Sequence, residues 1–279
     1  MNRLIEALSA IKDTKALLPF SAYSCVHEQR ISNVPIIKPL LICVLSGQKE
    51  LGRDRQMRCG SGHFVFLSNN SKVMVRNIPN NDQYRALIIE FDYDDFSCFS
   101  ASSFSMLPEQ HAAISFSKAP TEPVVEGQIN DFLERVLLQF IEWSQFSPAT
   151  LWPARRREIL LTLFSLGYEQ VAHFAEPPSL SHKVFSLIRA MDFKDVSMSA
   201  VSSALAMSES TLGRKLHAEG LSFQEIKDQV ILGMGLDLVQ TTHHSISQIA
   251  EQCGYHSPSR FTEKFKQLFH TTPSQLRKA

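Results

Sequence analysis

SISQIAEQCGYHSPSRFTEKFKQLFH, residues 245–270, reads as a short helix, a turn of about three residues and a second helix. Ser245 sits where the first helix needs an N-cap. Ser257 caps the second, with Pro258 at the first helical position, where proline is tolerated. Ala250 offers a small side chain where the two helices cross, Gly254 suits a turn residue with positive φ, and Phe261 is an apolar anchor in the middle of the second helix. These features together define a helix-turn-helix.

Upstream, SMSAVSSALAMSESTLGRKLHAEG, residues 197–220, repeats the plan. Ser202 is the small residue, Ala206-Met207-Ser208 the turn and Leu212 the anchor. Alanine at 206 is poorer turn chemistry than glycine. A long helix capped by Ser222 and running to about Thr242 lies between the copies. Two such units on a spacer can enter successive major grooves of duplex DNA, about 34 Å apart.

The totals are compatible with this. The chain has 279 residues, 44% hydrophobic and 20% charged, which suits about two folded domains. Formal net charge is zero. From His182 onward there are 11 Lys and Arg against 9 Asp and Glu, so the C-terminal part is only mildly basic and motif geometry carries the case. The five cysteines, 25, 43, 59, 98 and 253, are scattered without a Cys-x-x-Cys pair, so reduced, mostly buried thiols are expected rather than a zinc site or disulfides. No apolar run is long enough for a membrane span, and Glu6, Lys12 and Asp13 break any signal-peptide core, so a cytoplasmic protein is expected.

Glu176-Pro177-Pro178-Ser179 is the most linker-like stretch. It divides the chain into an N-terminal domain, 1–175, a linker, 176–181, and an all-α domain, 182–279. The first half reads as short strands at 36–44, 63–68, 73–78 and 84–91, separated by Gly, Pro, Asn and Ser turns, which suggests a small barrel or sandwich. A helical stripe follows over 124–146, at Val125, Ile129, Phe132, Leu133, Val136, Phe140 and Ile141, and a second helix over 155–174. Strands followed by a helix pair make an α+β pattern.

The second unit carries Ser245, Ile246, Ile249, Ala250, Gly254, Tyr255, Ser257, Ser259, Phe261, Phe265, Lys266, Phe269, Thr272, Pro273 and Arg277. In that spacing it resembles the signature of the AraC/XylS family of bacterial transcription regulators. Met207-Ser208, Leu212, Arg214-Lys215-Leu216, Gly220 and Ser222-Phe223 resemble the family's first unit. The chain departs from the pattern at Ile231, Gly235, His270 and Leu276, where the family usually has Arg, Ala, Gly and Tyr. Gly233 and Gly235 lie in the spacer and each should cost it about 1 kcal/mol against alanine, making a less stiff spacer.

The resemblance implies base-reading positions at Glu209, Ser210, Thr211, Gly213 and Arg214 in the first unit, and at His256, Ser259, Arg260 and Glu263 in the second. Gly213 has no side chain to read with, and the two arginines suit bidentate pairing with guanine. Lys215, Lys264, Lys266, Arg277, Lys278 and the helix N-terminus at Ser257 are the expected phosphate contacts.

Residues 39–49 and 59–64 resemble the cupin-like sensor region that precedes this domain in many family members. The resemblance implies a cupin-like β-barrel holding a small effector, with a helical segment pairing two subunits. The 125–141 stripe is either that seam or ordinary packing. Some regulators with similar C-terminal domains bind fatty acids, and 19 phenylalanines would suit an apolar pocket. His63 stands alone where enzymatic cupins carry a His-x-His pair, so no metal or other cofactor is expected.

The expected function is therefore a regulator bound to double-stranded promoter DNA, homodimeric, engaging RNA polymerase if it activates. The rival readings are a cupin enzyme fused to a DNA-binding module, and a helix-turn-helix module that binds protein instead of DNA.

Overall fold

The computed structural model describes residues 2–11, 18–36, 38–52, 57–67, 70–80, 83–99, 124–174 and 179–278. They form two compact units: Met1–Glu28 with Lys38–Asn70 and Arg76–Glu176, and Gln29–Ile37 with Ser71–Val75 and Pro177–Ala279. Residues 176–178 of the expected linker lie outside the described residues.

The N-terminal unit is built on an antiparallel sheet in the order β1-β8-β3-β6-β9. Its strands are β1 (Ser21–Cys25), β3 (Leu40–Ser46), β6 (His63–Leu67), β8 (Tyr84–Glu90) and β9 (Val124–Gln128). The central strand β3 pairs Ile42 with Val65 on one side and with Ile88 on the other. Its run Leu41 to Leu45 is buried throughout, as a strand covered on both faces should be. Two further strands, β4 (Gln48–Leu51) and β5 (Met57–Gly60), pair with each other.

One face of the sheet supplies Leu41, Cys43, Phe64, Phe66, Leu87 and Ile89 to a core completed by three helices: α1 (Asn2–Ala10), α2 (Asp131–Ser144) and α3 (Trp152–Ser165). This corrects the barrel expected from the sequence. Among the described residues the strands make open antiparallel sheets and no closed barrel. The physical reason is the helical cover: a sheet whose apolar face is buried by helices need not close on itself to hide it.

The stripe expected as helix over 124–146 begins instead as strand β9, whose Val125 pairs with Phe66. A methyl group at Gly127 would stand 2.4 Å from the Tyr168 ring and 2.5 Å from that of Phe64, so only glycine lets the rings close over the strand. The helix starts at Asp131, where the Leu133 N–H donates to Asn130 Oδ1 at 2.9 Å. Leu133, Val136, Leu137, Phe140 and Ile141 then point into the unit's own core, whereas Phe132 is 54% exposed. The second expected helix ends at Ser165, and a separate 3-10 turn covers Glu169–Phe174.

The C-terminal unit holds α4 (Leu180–Ala190), α5 (Met198–Ala204), α6 (Glu209–Ala218), α7 (Phe223–Thr241), α8 (Ile246–Gln252), α9 (Pro258–Phe269) and α10 (Pro273–Lys278). It also includes β2 (Gln29–Ile36). The spacer α7 carries two cores. Its first half gives Ile226 and Val230 to a cluster with Val184, Ile188, Leu212 and Leu216. Its second half gives Ile231, Leu232, Leu236 and Val239 to a cluster with Ile249, Phe261, Phe265, Phe269 and Ile31 of β2. Gln29 Nε2 donates to the Leu276 carbonyl at 2.9 Å, and Asn33 Nδ2 to the Leu268 carbonyl at 2.8 Å. No described helix is long and apolar enough to cross a membrane.

Candidate nucleic-acid interface

Each helix of the two units starts on a serine that bonds to the backbone three residues on. Ser197 accepts from Ala200, Ser208 from Thr211, Ser245 from Gln248 and Ser257 from Arg260. The spacer begins with a full capping box between Ser222 and Glu225, and α8 with one between Ser245 and Gln248. These caps fix where each helix begins, and hence which side chains stand at the N-terminal end of α6 and α9.

The turns match each other in backbone conformation. Ala206 has φ +51° and Gly254 φ +74°. The Met207 N–H donates to the Ser202 carbonyl at 2.9 Å, and the Tyr255 N–H to the Ala250 carbonyl at 2.8 Å. The small residues at 202 and 250 are both buried. His270, where the family pattern has glycine, caps α9 with φ +58°. A side chain in the left-handed region costs about 1–2 kcal/mol, part of which glycine gives back through its freer unfolded chain. Ala206→Gly and His270→Gly should therefore each stabilise the unit by up to about 1 kcal/mol. Urea midpoints check this, and a lowered midpoint in both variants contradicts the strain argument.

The glycines of the spacer have packing reasons. A methyl group at Gly235 would stand 2.8 Å from the Phe261 ring and 3.3 Å from Cys253 Sγ, and one at Gly233 would meet Pro35 of β2 at 3.0 Å. They let the anchor of α9 and the strand β2 lie close against α7, which is unbroken from Phe223 to Thr241.

In α6, Leu212 and Leu216 are buried while Glu209, Ser210, Arg214 and Lys215 are exposed. Thr211 is half-buried, its Oγ1 2.8 Å from Ser208 Oγ. In α9, Phe261, Phe265 and Phe269 form the buried face, with ring centroids 5.6 and 4.6 Å apart in succession. Ser259, Arg260, Glu263 and Lys266 are exposed on α9, with His256 and Ser257 just before it. Glu263 receives a long bond from Gln267 at 3.4 Å. The structure thus leaves most of the named residues solvent-exposed on or just before each second helix.

Two of the expected phosphate contacts have bonds within the unit. Lys264 lies 3.6 Å from Asp228 of the spacer. Arg277 Nη1 donates to the His244 carbonyl at 2.6 Å, tying α10 to the start of α8. Lys278 is exposed. Sequence reading missed the polar and apolar grip of β2 on this unit, because its partners lie more than 200 residues away in the chain.

Residues 201–279 match the helix-turn-helix domain family. The chain is 33% identical over 118 residues to the urease operon transcriptional activator of Escherichia coli, covering 42% of this chain and 37% of that one. It is 37% identical over 91 residues to the transcriptional regulator SirC of Salmonella typhimurium, covering 33% and 31%. Residues 201–279 are a helix-turn-helix domain of the AraC type. The chain spans less than half the length of these relatives. Over its whole length it shares the fold of ToxT from Vibrio cholerae, with a TM-score of 0.64 at 15% identity, covering 93% of this chain and 97% of that one. ToxT has also been solved with an unsaturated fatty acid bound, at 14% identity and the same TM-score, covering 96% and 97%.

Proposed function

We propose that this chain is a transcription regulator that binds promoter DNA through α6 and α9 in successive major grooves. The observation that carries the proposal is the pair of serine-capped second helices, each buried on its apolar side and polar on the other, joined by one spacer helix. Every relative named above is a transcriptional regulator, which weighs against an enzyme. Arg214 and Arg260 read guanine, with Glu209, Ser210, Thr211, His256, Ser259 and Glu263 beside them. Lys215, Lys266, Lys278 and the N-terminus at Ser257 take phosphates. Lys264 and Arg277 join them while also holding the fold. The protein acts in the cytoplasm as a homodimer, and as an activator it touches RNA polymerase. A small apolar effector in the N-terminal unit is supported by the fatty acid seen in ToxT.

Duplex binding across a salt series tests this. A steep fall of affinity with salt is expected, and absence of binding even near 50 mM salt overturns it. Arg260→Ala should lose about 1–3 kcal/mol of discrimination at one base position. Lys266→Ala should weaken all sequences alike and flatten the salt slope. An Arg260→Ala variant with unchanged sequence preference contradicts the assignment.

A further inference from the structure

Helices α1 and α2 of the N-terminal unit enclose a groove of about 530 Å³. Asn2 and Arg3 of α1 line one side, and Asp131, Glu134, Arg135 and Leu138 of α2 the other. The four residues of α2 follow one another at intervals of three, one and three, so they share one face of its first two turns. Leu4 is 0% exposed and belongs to the same core as Leu133 and Leu137, which pins α1 against α2 and keeps Arg3 on the wall of the groove. Among the described residues, Arg3, Arg135 and Asp131 form no ion pair or side-chain hydrogen bond, whereas Glu134 has an interaction within the chain. Two guanidiniums and a carboxylate therefore line one concave surface with their charges uncommitted.

We infer that this groove binds a free α-amino acid with a small apolar side chain. The ligand differs in chemistry from the apolar effector proposed above, and the inference does not depend on that reading. Charge decides the class. A simple anion would meet the two arginines but also Asp131 and Glu134. A simple cation would meet the carboxylates but also the arginines. A zwitterion satisfies both sets at once. Its carboxylate accepts from Arg3 and Arg135, whose planar forks suit two oxygens, and its ammonium donates to Asp131, with the charge of Glu134 nearby. Leu138 gives the side chain an apolar wall. The groove's volume lies within the range of small-molecule sites. Arg3, Asp131 and Arg135 are exposed and Glu134 is half-buried, so solvent and salt screen each contact and the affinity is millimolar rather than tight.

Saturation-transfer NMR of the full chain at low salt tests this, with L-leucine, N-acetyl-L-leucine and L-leucine amide as probes and circular dichroism to verify folding of each variant. Free leucine should bind in the millimolar range, and the two forms with one charge blocked about tenfold more weakly. Arg3→Gln, Arg135→Gln and Asp131→Asn should each weaken leucine binding about fivefold, and the two arginine changes together more than about tenfold. Acetylated leucine binding as well as leucine would mean an anion site and overturn the zwitterion. Leucine binding that all three variants leave unchanged would place the ligand elsewhere and overturn the groove. Absence of leucine binding up to about 20 mM would overturn both.

Discussion

Phe261→Ala should cost the C-terminal unit about 3–5 kcal/mol, the range for removing a fully buried phenylalanine. Its ring is 0% exposed, lies edge-on to Tyr255 at 5.5 Å and packs tilted against Phe265 at 5.6 Å. It also fills the space above Gly235 that a methyl group would occupy. The loss should appear as a lowered urea midpoint by far-ultraviolet circular dichroism, with weaker duplex binding because the anchor sets the angle of α9. Gly235→Ala offers an internal check. Alone it forces the ring aside and should destabilise by about 1–3 kcal/mol. In the Phe261→Ala background the clash is gone and the better helix former should be neutral or stabilising. If the two effects simply add, the close fit between ring and glycine is not what the glycine is for.

Most of the C-terminal unit is legible in the sequence because its signals are local. A serine cap, an apolar residue every third or fourth position and a left-handed turn are all specified within a few residues, so all of the cap serines from Ser197 to Ser257 stand where the pattern puts them. The apolar runs around β3, β6 and β8 are equally plain. What escaped depends on distant partners. Val124 and Val125 extend the apolar stripe of α2 backwards, and only pairing with β6 makes them strand. Gln29 and Ile31 carry no local signal that they pack with the C-terminal unit. Whether α2 shows a seam to solvent or to its own core is likewise set by the sheet beneath it. At the candidate site the periodicity shows which side of each second helix is buried, but not that Arg277 and Lys264 have partners inside the unit.

The N-terminal unit should be most stable at about pH 8.5 and weaken sharply above pH 9. Four of its thiols keep their protons far longer when folded than when unfolded. Burial pushes Cys25 and Cys98 up to about 11 and Cys59 to about 12, from an ordinary value of 9.0, and Cys43 higher still. Well below pH 9 both states hold these protons and the thiols leave folding unaffected. Above it the unfolded chain releases them while the folded one does not, so stability falls as pH rises. Lys49 acts in the opposite sense. Burial lowers its pKa from 10.5 to about 8, its ammonium held by Asn77 Oδ1 at 2.7 Å and lying over the Tyr84 ring. From pH 8 to 10.5 the unfolded state binds the extra proton, so this group makes stability rise. Between 8 and 9 the lysine adds about 1 kcal/mol while the thiols, half-ionised in the unfolded chain at their ordinary value, remove about as much, so stability stays nearly level. Each sealed thiol removes about 1.4 kcal/mol per pH unit beyond that, and with Cys25 and Cys98 discounted for nearby solvent the thiols together outweigh the lysine by about 2 kcal/mol by pH 10. Both tryptophans, Trp143 and Trp152, lie in this unit, so urea titrations followed by their fluorescence report on it selectively. Lys49→Met should turn the level stretch between pH 8 and 9 into a fall and steepen the fall above it. Cys43→Ala should make that fall shallower by one proton. A wild-type midpoint that stays level from pH 9 to 10 would mean that the thiols ionise in the folded unit as readily as in the open chain.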